Sequence, residues 1–324
     1  MRLDTIRHEV ETTYDKVKSL AGWSVSKNVV LTITSYYVTA EREFNAVDFN
    51  RAMAALKERS GWFSPLRGHL LPMMAAFLTQ SGNSVDEVVD RLMEKQRVLK
   101  QAGFRNSIHS YLAAILMNDD ADLFEVEAER AKKLYNAMKK QHFFLTSEDD
   151  YTYAMLLGKK GEDPELHAKA MRNYYDALRK EGFRAGNELQ WLSQVLTYTD
   201  IDFKSHLVQR AVRIFEMLGD DLKAMPVHYP MIGFLTVFDV EDGNIREIIS
   251  LAKELGQSKQ FKWNREMALS LACGILLHHL TESADQVGVS MAASVDMIIQ
   301  AQQAVMAVTV AAVATSSAHS ASNG

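Results

Sequence analysis

The sequence predicts an all-α protein, a right-handed stack of antiparallel helical hairpins forming an α-solenoid with a repeat of about 40 residues. Three observations carry that expectation. Only five of 324 residues are proline, at positions 65, 72, 164, 226 and 230, and Leu, Ala, Lys, Glu and Met outweigh alternating Val, Ile and Thr. The stretch RVLKQAGFRNSIHSYLAAIL (97–116) has the layout of ALRKEGFRAGNELQWLSQVL (177–196): a cation-rich helix end, a Gly-Phe-Arg turn, then a new apolar helix. With a 40-residue step Ser107, Ser147 and Asn187 coincide, as do Tyr111, Tyr151 and Trp191, then Ile115, Met155 and Val195, then Leu116, Leu156 and Leu196. A polar residue that caps a helix start, with bulky residues four and eight positions later, puts one apolar stripe on one helical face.

Residues 1–59 form an entry of N-terminal helices. A polar helix is expected over about residues 4–20. In NVVLTITSYYVTAERE (28–43) the β-branched residues favour strand, yet Val29, Ile33, Tyr36, Tyr37 and Ala40 share one helical face. AVDFNRAMAALKER (46–59) reads as a helix capped by Asp48.

Residues 60–284 hold the hairpin repeats. In SGWFSPLRGHLLPMMAAFL (60–78), Ser64 and Pro65 suit a cap and a first helical residue. KQRVLKQAGF (95–104), YNAMKKQHFF (135–144) and YDALRKEGFR (175–184) put cations in a last helical turn, where they face the negative end of the dipole. Gly103 and Gly182 then suit a left-handed cap with the following Phe folded back, whereas His142 breaks the rule and predicts a different cap. The other turns are acidic: NDDAD (118–122), GED (161–163), TDID (199–202) and DVEDGN (239–244). Weaker copies follow in HYPMIGFLTVF (228–238) and FKWNREMALSLACGILLHHL (261–280), for about 12 to 15 helices in all. Residues 285–324 change to Ala, Val, Ser, Gln and Met: a helix over 291–314, then a disordered ATSSAHSASNG.

The segments FSPLRGH (63–69), GFRNSIHSYLAAIL (103–116), FLTSEDDYTYAMLL (144–157) and GFRAGNELQWLSQVL (182–196) resemble a bacterial family known as domain of unknown function 4003. The likeness runs over most of residues 1–280. It implies an intracellular bacterial protein and implies no activity.

A net charge of −5 gives no general attraction to nucleic acid or an anionic membrane and leaves room for a local patch. No nucleic-acid partner is expected. Cys273 alone makes no internal disulfide, and MRLDTIRHEVETTYDKVK has no apolar core of a signal peptide, which predicts a cytoplasmic protein. No Lys or Arg follows Arg265, and the uninterrupted apolar run 304–314 has 11 residues against the roughly 20 that span a bilayer. A membrane anchor is therefore not expected. Residues 291–314 suit packing on the last hairpin, on another copy or on a partner.

The sharpest chemical candidate is Ser147-Glu148-Asp149-Asp150, whose carboxylates suit a divalent cation or acid/base work but equally a capped helix start. Asn118, Asp120 and Asp122 are spaced as in a calcium loop, but Leu123 stands where that loop needs glycine. His278 and His279 are adjacent and diverge on a helix, and His69, His109, His142 and His228 lack a second ligand at zinc spacing. No metal and no cofactor are expected. Gly158-Lys159-Lys160-Gly161 lacks the phosphate-loop spacing. Cys273 suits a buried thiol, and the sixteen methionines suit core packing. Arg67, Arg105, Arg184 and Lys262 follow the aromatic turns of successive units, so stacking lines them into a basic binding edge that Asp220 and Asp221 interrupt.

The resulting expectation is a non-enzymatic binding or scaffolding protein that engages a protein or peptide partner. The alternative is an α/α-toroid hydrolase or lyase with Glu148, Asp149, Asp150 and Glu188 as its acids.

Overall fold

The structure is a computed structural model that describes residues 3–22, 25–68, 70–79, 84–222 and 225–282. Among these, all regular structure is helical: α1 (Leu3–Ala21), α2 (Lys27–Thr39), α3 (Ala46–Arg59), α4 (Leu71–Leu78), α5 (Val85–Gln101), α6 (Ile108–Leu116), α7 (Phe124–Gln141), α8 (Tyr151–Gly158), α9 (Pro164–Lys180), α10 (Asn187–Val195), α11 (Ser205–Leu222), α12 (Tyr229–Val237), α13 (Asp242–Leu255) and α14 (Arg265–Glu282). The expected helix over 291–314, the tail beyond it and His69 lie outside the described residues.

Two kinds of helix alternate. The odd-numbered ones are amphipathic: α9 buries His167, Ala168, Ala170, Met171, Tyr174, Tyr175 and Leu178, a stripe at helical spacing, and leaves its charges in water. The even-numbered ones are mostly short and apolar all round; every residue of α4 and α8 is buried. A helix of that kind is stable only when enclosed by others. Residues 28–43 resolve accordingly. Val29 to Thr39 are all buried in α2, and tertiary enclosure overrides the strand preference of their β-branched side chains.

The caps correct several expectations. Asn45, not Asp48, caps α3, because its Oδ1 accepts from Val47 and Asp48 N–H at 2.9 and 3.2 Å. Gly186 with φ +153° is the N-cap of α10, so Asn187 is the first helical residue and not its cap. Ser64 caps a short 3-10 turn, Pro65–Arg67, and α4 starts later. At Ser107 and Ser147 the cap runs backwards: Ser110 Oγ and Asp150 Oδ2 accept from the serine N–H at 3.1 and 2.9 Å. His228 Nδ1 does the same for Met225 N–H at 3.0 Å.

Each odd helix packs on the even helix that follows and on the next odd helix. Cross-helix bonds recur at two sequence offsets. Between odd helices or the turns beside them the offset is near 30, as in Lys132 Nζ to Gly103 O at 2.7 Å and Lys204 N to Tyr174 Oη at 2.9 Å. Between even helices it is near 40, as in Gln190 Nε2 to Asp150 Oδ1 at 3.0 Å. α14 packs on α12, α13 and also on α2. At one end of the α2–α14 contact Asn264 Nδ2 donates to Asn28 Oδ1 at 2.7 Å, and at the other His279 Nε2 lies 3.4 Å from Glu41 Oε1. α3 and α4, on the two sides of residue 59, pack together as well. No helix among the described residues is long and apolar enough to cross a membrane.

Candidate functional site

The site is built from the turns that join each odd helix to the next even one. In two of them the geometry is the same. Gly103 and Gly182 have φ +92° and +91°, which lets Phe104 N–H reach Leu99 O at 3.0 Å and Phe183 N–H reach Leu178 O at 3.2 Å. Each Phe then folds inward. Phe104 lies 4.7 Å from Tyr151 and 6.3 Å from Tyr135, and Phe183 lies 4.9 Å from Tyr229 and 4.8 Å from Phe215. The phenol oxygens of Tyr151 and Tyr229 accept from the N–H of Arg105 and Arg184 at 3.4 and 3.1 Å. The backbone of each arginine is thereby anchored from the next hairpin while its side chain stays in water. Tyr229→Phe should cost about 1 kcal/mol in a urea melt, because the Arg184 N–H loses its acceptor while the ring keeps its packing.

The turn between α7 and α8 departs from this. His142 takes the buried slot, with its ring 4.6 Å from that of Tyr175, and Nδ1–H donates to Gln190 Oε1 at 3.2 Å. Burial lowers its pKa, and the Gln190 bond opposes that. Its φ of −136° is negative, so the cap is of another type than the left-handed glycine caps, as the missing glycine predicts. Phe143 and Phe144 are consequently thrown outward, 66% and 96% exposed.

Other exposed rings stand in turns of the same odd-to-even kind. Trp62 and Phe63 follow α3, and Trp263 precedes α14. A cation sits against each group: Arg67 is 5.7 Å from the Trp62 centroid, Lys139 is 5.7 Å from Phe143, and Lys262 is 5.5 Å from Trp263. All four expected edge cations, Arg67, Arg105, Arg184 and Lys262, are exposed. Arg67 has a structural task too, because it donates to the Lys57 and Ser60 carbonyls at 2.6 and 3.2 Å and so closes the end of α3.

The four acids do not form one site. Glu148 faces Arg105 at 3.7 Å, and Asp149 accepts from Asn187 Nδ2 at 3.3 Å and from the Ser147 hydroxyl. Asp150 is buried and accepts from Gln190 Nε2, Gln194 Nε2 and Ser147 N–H at 3.0, 2.7 and 2.9 Å. Burial pushes its carboxyl up to about 7, and nearby Asp149 adds to that. Glu188 lies beside Gly186. Nearby His109 is pushed down by burial, which Asp149 and Glu148 oppose.

In the turns that join an even helix to the next odd one, the acids are occupied by their own backbone. Asn118 Oδ1 accepts from Asp120 N–H at 2.9 Å, and Asp120 Oδ1 accepts from Asp122 N–H at 3.1 Å, which leaves a capped turn in place of a calcium loop. Lys95, buried in α5, reaches Met117 O and Asp119 Oδ1 at 2.9 and 2.7 Å. Among the described residues no three His, Cys, Asp or Glu side chains come together as a metal site. Burial pushes the Cys273 thiol up to about 12, far from a thiolate at neutral pH. The exposed rings beside the cations are the part that sequence reasoning missed: the Gly-Phe-Arg copies suggest that a turn phenylalanine faces inward, and only the His142 exception signals otherwise.

No solved structure matches the chain. It is similar to an uncharacterized protein, YeaA, of Bacillus subtilis strain 168, 26% identical over 297 residues that cover 90% of this chain and 89% of the relative. A protein family described as "Protein of unknown function (DUF4003)" matches residues 13–304, and the chain belongs to that family.

Proposed function

We propose that seven antiparallel hairpins, α1–α2 through α13–α14, form a right-handed stack whose ends meet, and that the protein is a non-enzymatic binding module working through the odd-to-even edge. The recurring offsets of about 30 and 40 residues support a repeat of one hairpin unit. The packing of α14 on α2, with the Asn28–Asn264 bond at one end and His279 beside Glu41 at the other, supports closure, since it aligns the first and last even helices along their length. The single observation that carries the binding reading is the edge itself, where exposed aromatic rings stand beside cations while apolar side chains elsewhere are mostly enclosed.

Closure also has the shape an α/α-toroid enzyme needs, but the acids speak against that use. Asp150 is held by three donors in the core, and Glu148 and Asp149 are engaged with neighbours at helix starts. Every residue of the even helices α4 and α8 is buried, whereas such an enzyme exposes side chains of its inner helices to a funnel.

The test is charge reversal at three of the exposed edge cations, Arg105→Glu, Arg184→Glu and Lys262→Glu together, with Arg67 left in place because it also closes the end of α3. Thermal stability should change by no more than about 0.5 kcal/mol, as for surface sites. Chemical cross-linking in living cells should lose the adducts that wild type forms through this edge; an adduct pattern identical to wild type would sink the reading.

A further inference from the structure

We propose that the odd-to-even edge is a three-point attachment surface for the interface of a lipid bilayer that carries anionic headgroups; this rests on the ring and binding-edge reading above. Among the described residues every Phe or Trp more than half exposed lies on this edge: Trp62 79%, Phe63 95%, Phe143 66%, Phe144 96% and Trp263 80%. Rings that stand this far into water at turn tips have no packing role in the chain itself.

Each cluster carries its own cation, Arg67, Lys139 or Lys262, stacked on a ring. An aromatic ring at headgroup depth with a cation beside it that reaches lipid phosphate is the pairing a bilayer interface takes. The spacing argues for a flat partner. The three clusters sit in the second, fourth and seventh hairpins, so around a closed ring of seven the gaps are two, three and two hairpins. Three separated tips define a plane, whereas a peptide groove would need rings on neighbouring hairpins. Arg105 and Arg184 occupy the third and fifth hairpins on the same edge. The acids there are partly answered: Glu148 faces Arg105, and Asp149 is bonded to Asn187 and Ser147. The opposite edge also shows apolar side chains, Leu123, Leu166 and Phe203, but they stand beside Asp122, Asp163 and Asp202, which an anionic surface repels. The charges therefore decide which edge faces lipid.

The experiment is flotation of the full-length protein with vesicles of phosphatidylcholine, with and without phosphatidylglycerol. Wild type should float with the anionic vesicles, and less with phosphatidylcholine alone or at high salt. Phe63→Ser, Phe144→Ser and Trp263→Ser combined should partition at least about tenfold more weakly, with an unchanged melting midpoint because all three rings are exposed. The charge-reversed triple variant should lose the preference for phosphatidylglycerol. Failure of wild type to float, or flotation of the ring-free variant equal to wild type, would overturn the proposal. If neither vesicle binds while edge-dependent protein cross-links persist in cells, the lipid assignment falls, the binding module stands, and its partner is a protein or peptide. If those cross-links are absent too, both readings fall.

Discussion

Asp150→Ala should destabilise the protein by about 3 to 5 kcal/mol near pH 6, the largest loss expected from any polar substitution in the chain. The carboxyl is buried where α8 meets α10, and three donors converge on it, Gln190 Nε2, Gln194 Nε2 and Ser147 N–H. Removing it strands donors that water does not reach. Gln190 keeps Thr146 Oγ1 at 3.2 Å, so the loss is smaller than three full bonds.

The same group gives stability a pH dependence whose sign is fixed by its shift. Its carboxyl is raised from 3.8 to about 7, so between those values the folded chain holds a proton that the unfolded chain has released. The stabilisation is complete below about pH 4, falls as pH rises toward about 7, and is flat beyond. Asp150→Asn should remove this slope, since an amide does not titrate. It should also be the less stable protein at pH 5, because the new amide offers its oxygen to the glutamines and then turns a donor toward Ser147 N–H. The difference should narrow toward pH 8, where wild type must ionise. Urea melts across pH 4 to 8 decide this; parallel pH profiles for wild type and the Asp150→Asn variant would show that Asp150 does not titrate in the fold.

Gly158→Ala should cost about 3 kcal/mol although alanine is the better helix former. A β-carbon there would lie 2.9 Å from Ala131 Cα, 3.0 Å from Ala131 N and 3.2 Å from Arg130 C. These are backbone atoms of α7, so relief requires the two helices to part, which loosens Leu134, Leu157 and the rest of their shared core. Gly219→Ala in α11 is the matched control, because its β-carbon would meet nothing within 4 Å. The control should gain up to about 1 kcal/mol. If the two alanines shifted the urea midpoint alike, helix propensity and not close approach would govern position 158.

Much of this was legible in the sequence. The Lys and Arg in the last turns of α5, α7 and α9, the glycines at 103 and 182, and the acids that open the odd helices are local signals set by capping and the helix dipole. The 40-residue coincidence of Tyr111, Tyr151 and Trp191 places three buried residues at corresponding places on even helices. Cap identity was less legible. Asn45 and Asp48 are both good caps by type, and only backbone dihedrals choose between them. The segment of α2 was ambiguous, its β-branched residues favouring strand and its apolar spacing favouring helix, because local propensity is blind to helices that arrive from the far end of the chain.

The helical class, the order of the helices and the acidic or basic character of individual turns follow from residues within about one helical turn of one another and are therefore carried by the sequence alone. Which side chains of a turn go inward depends instead on packing between distant segments. Phe104 and Phe183 fill aromatic slots against the next hairpin, but His142 takes the corresponding slot because Tyr175 and Gln190 receive it, and Phe143 and Phe144 are left outside. The pairing of Asn28 with Asn264 is of the same kind. Two residues 236 positions apart have no local signal to share, and their meeting depends on how all the helices between them pack.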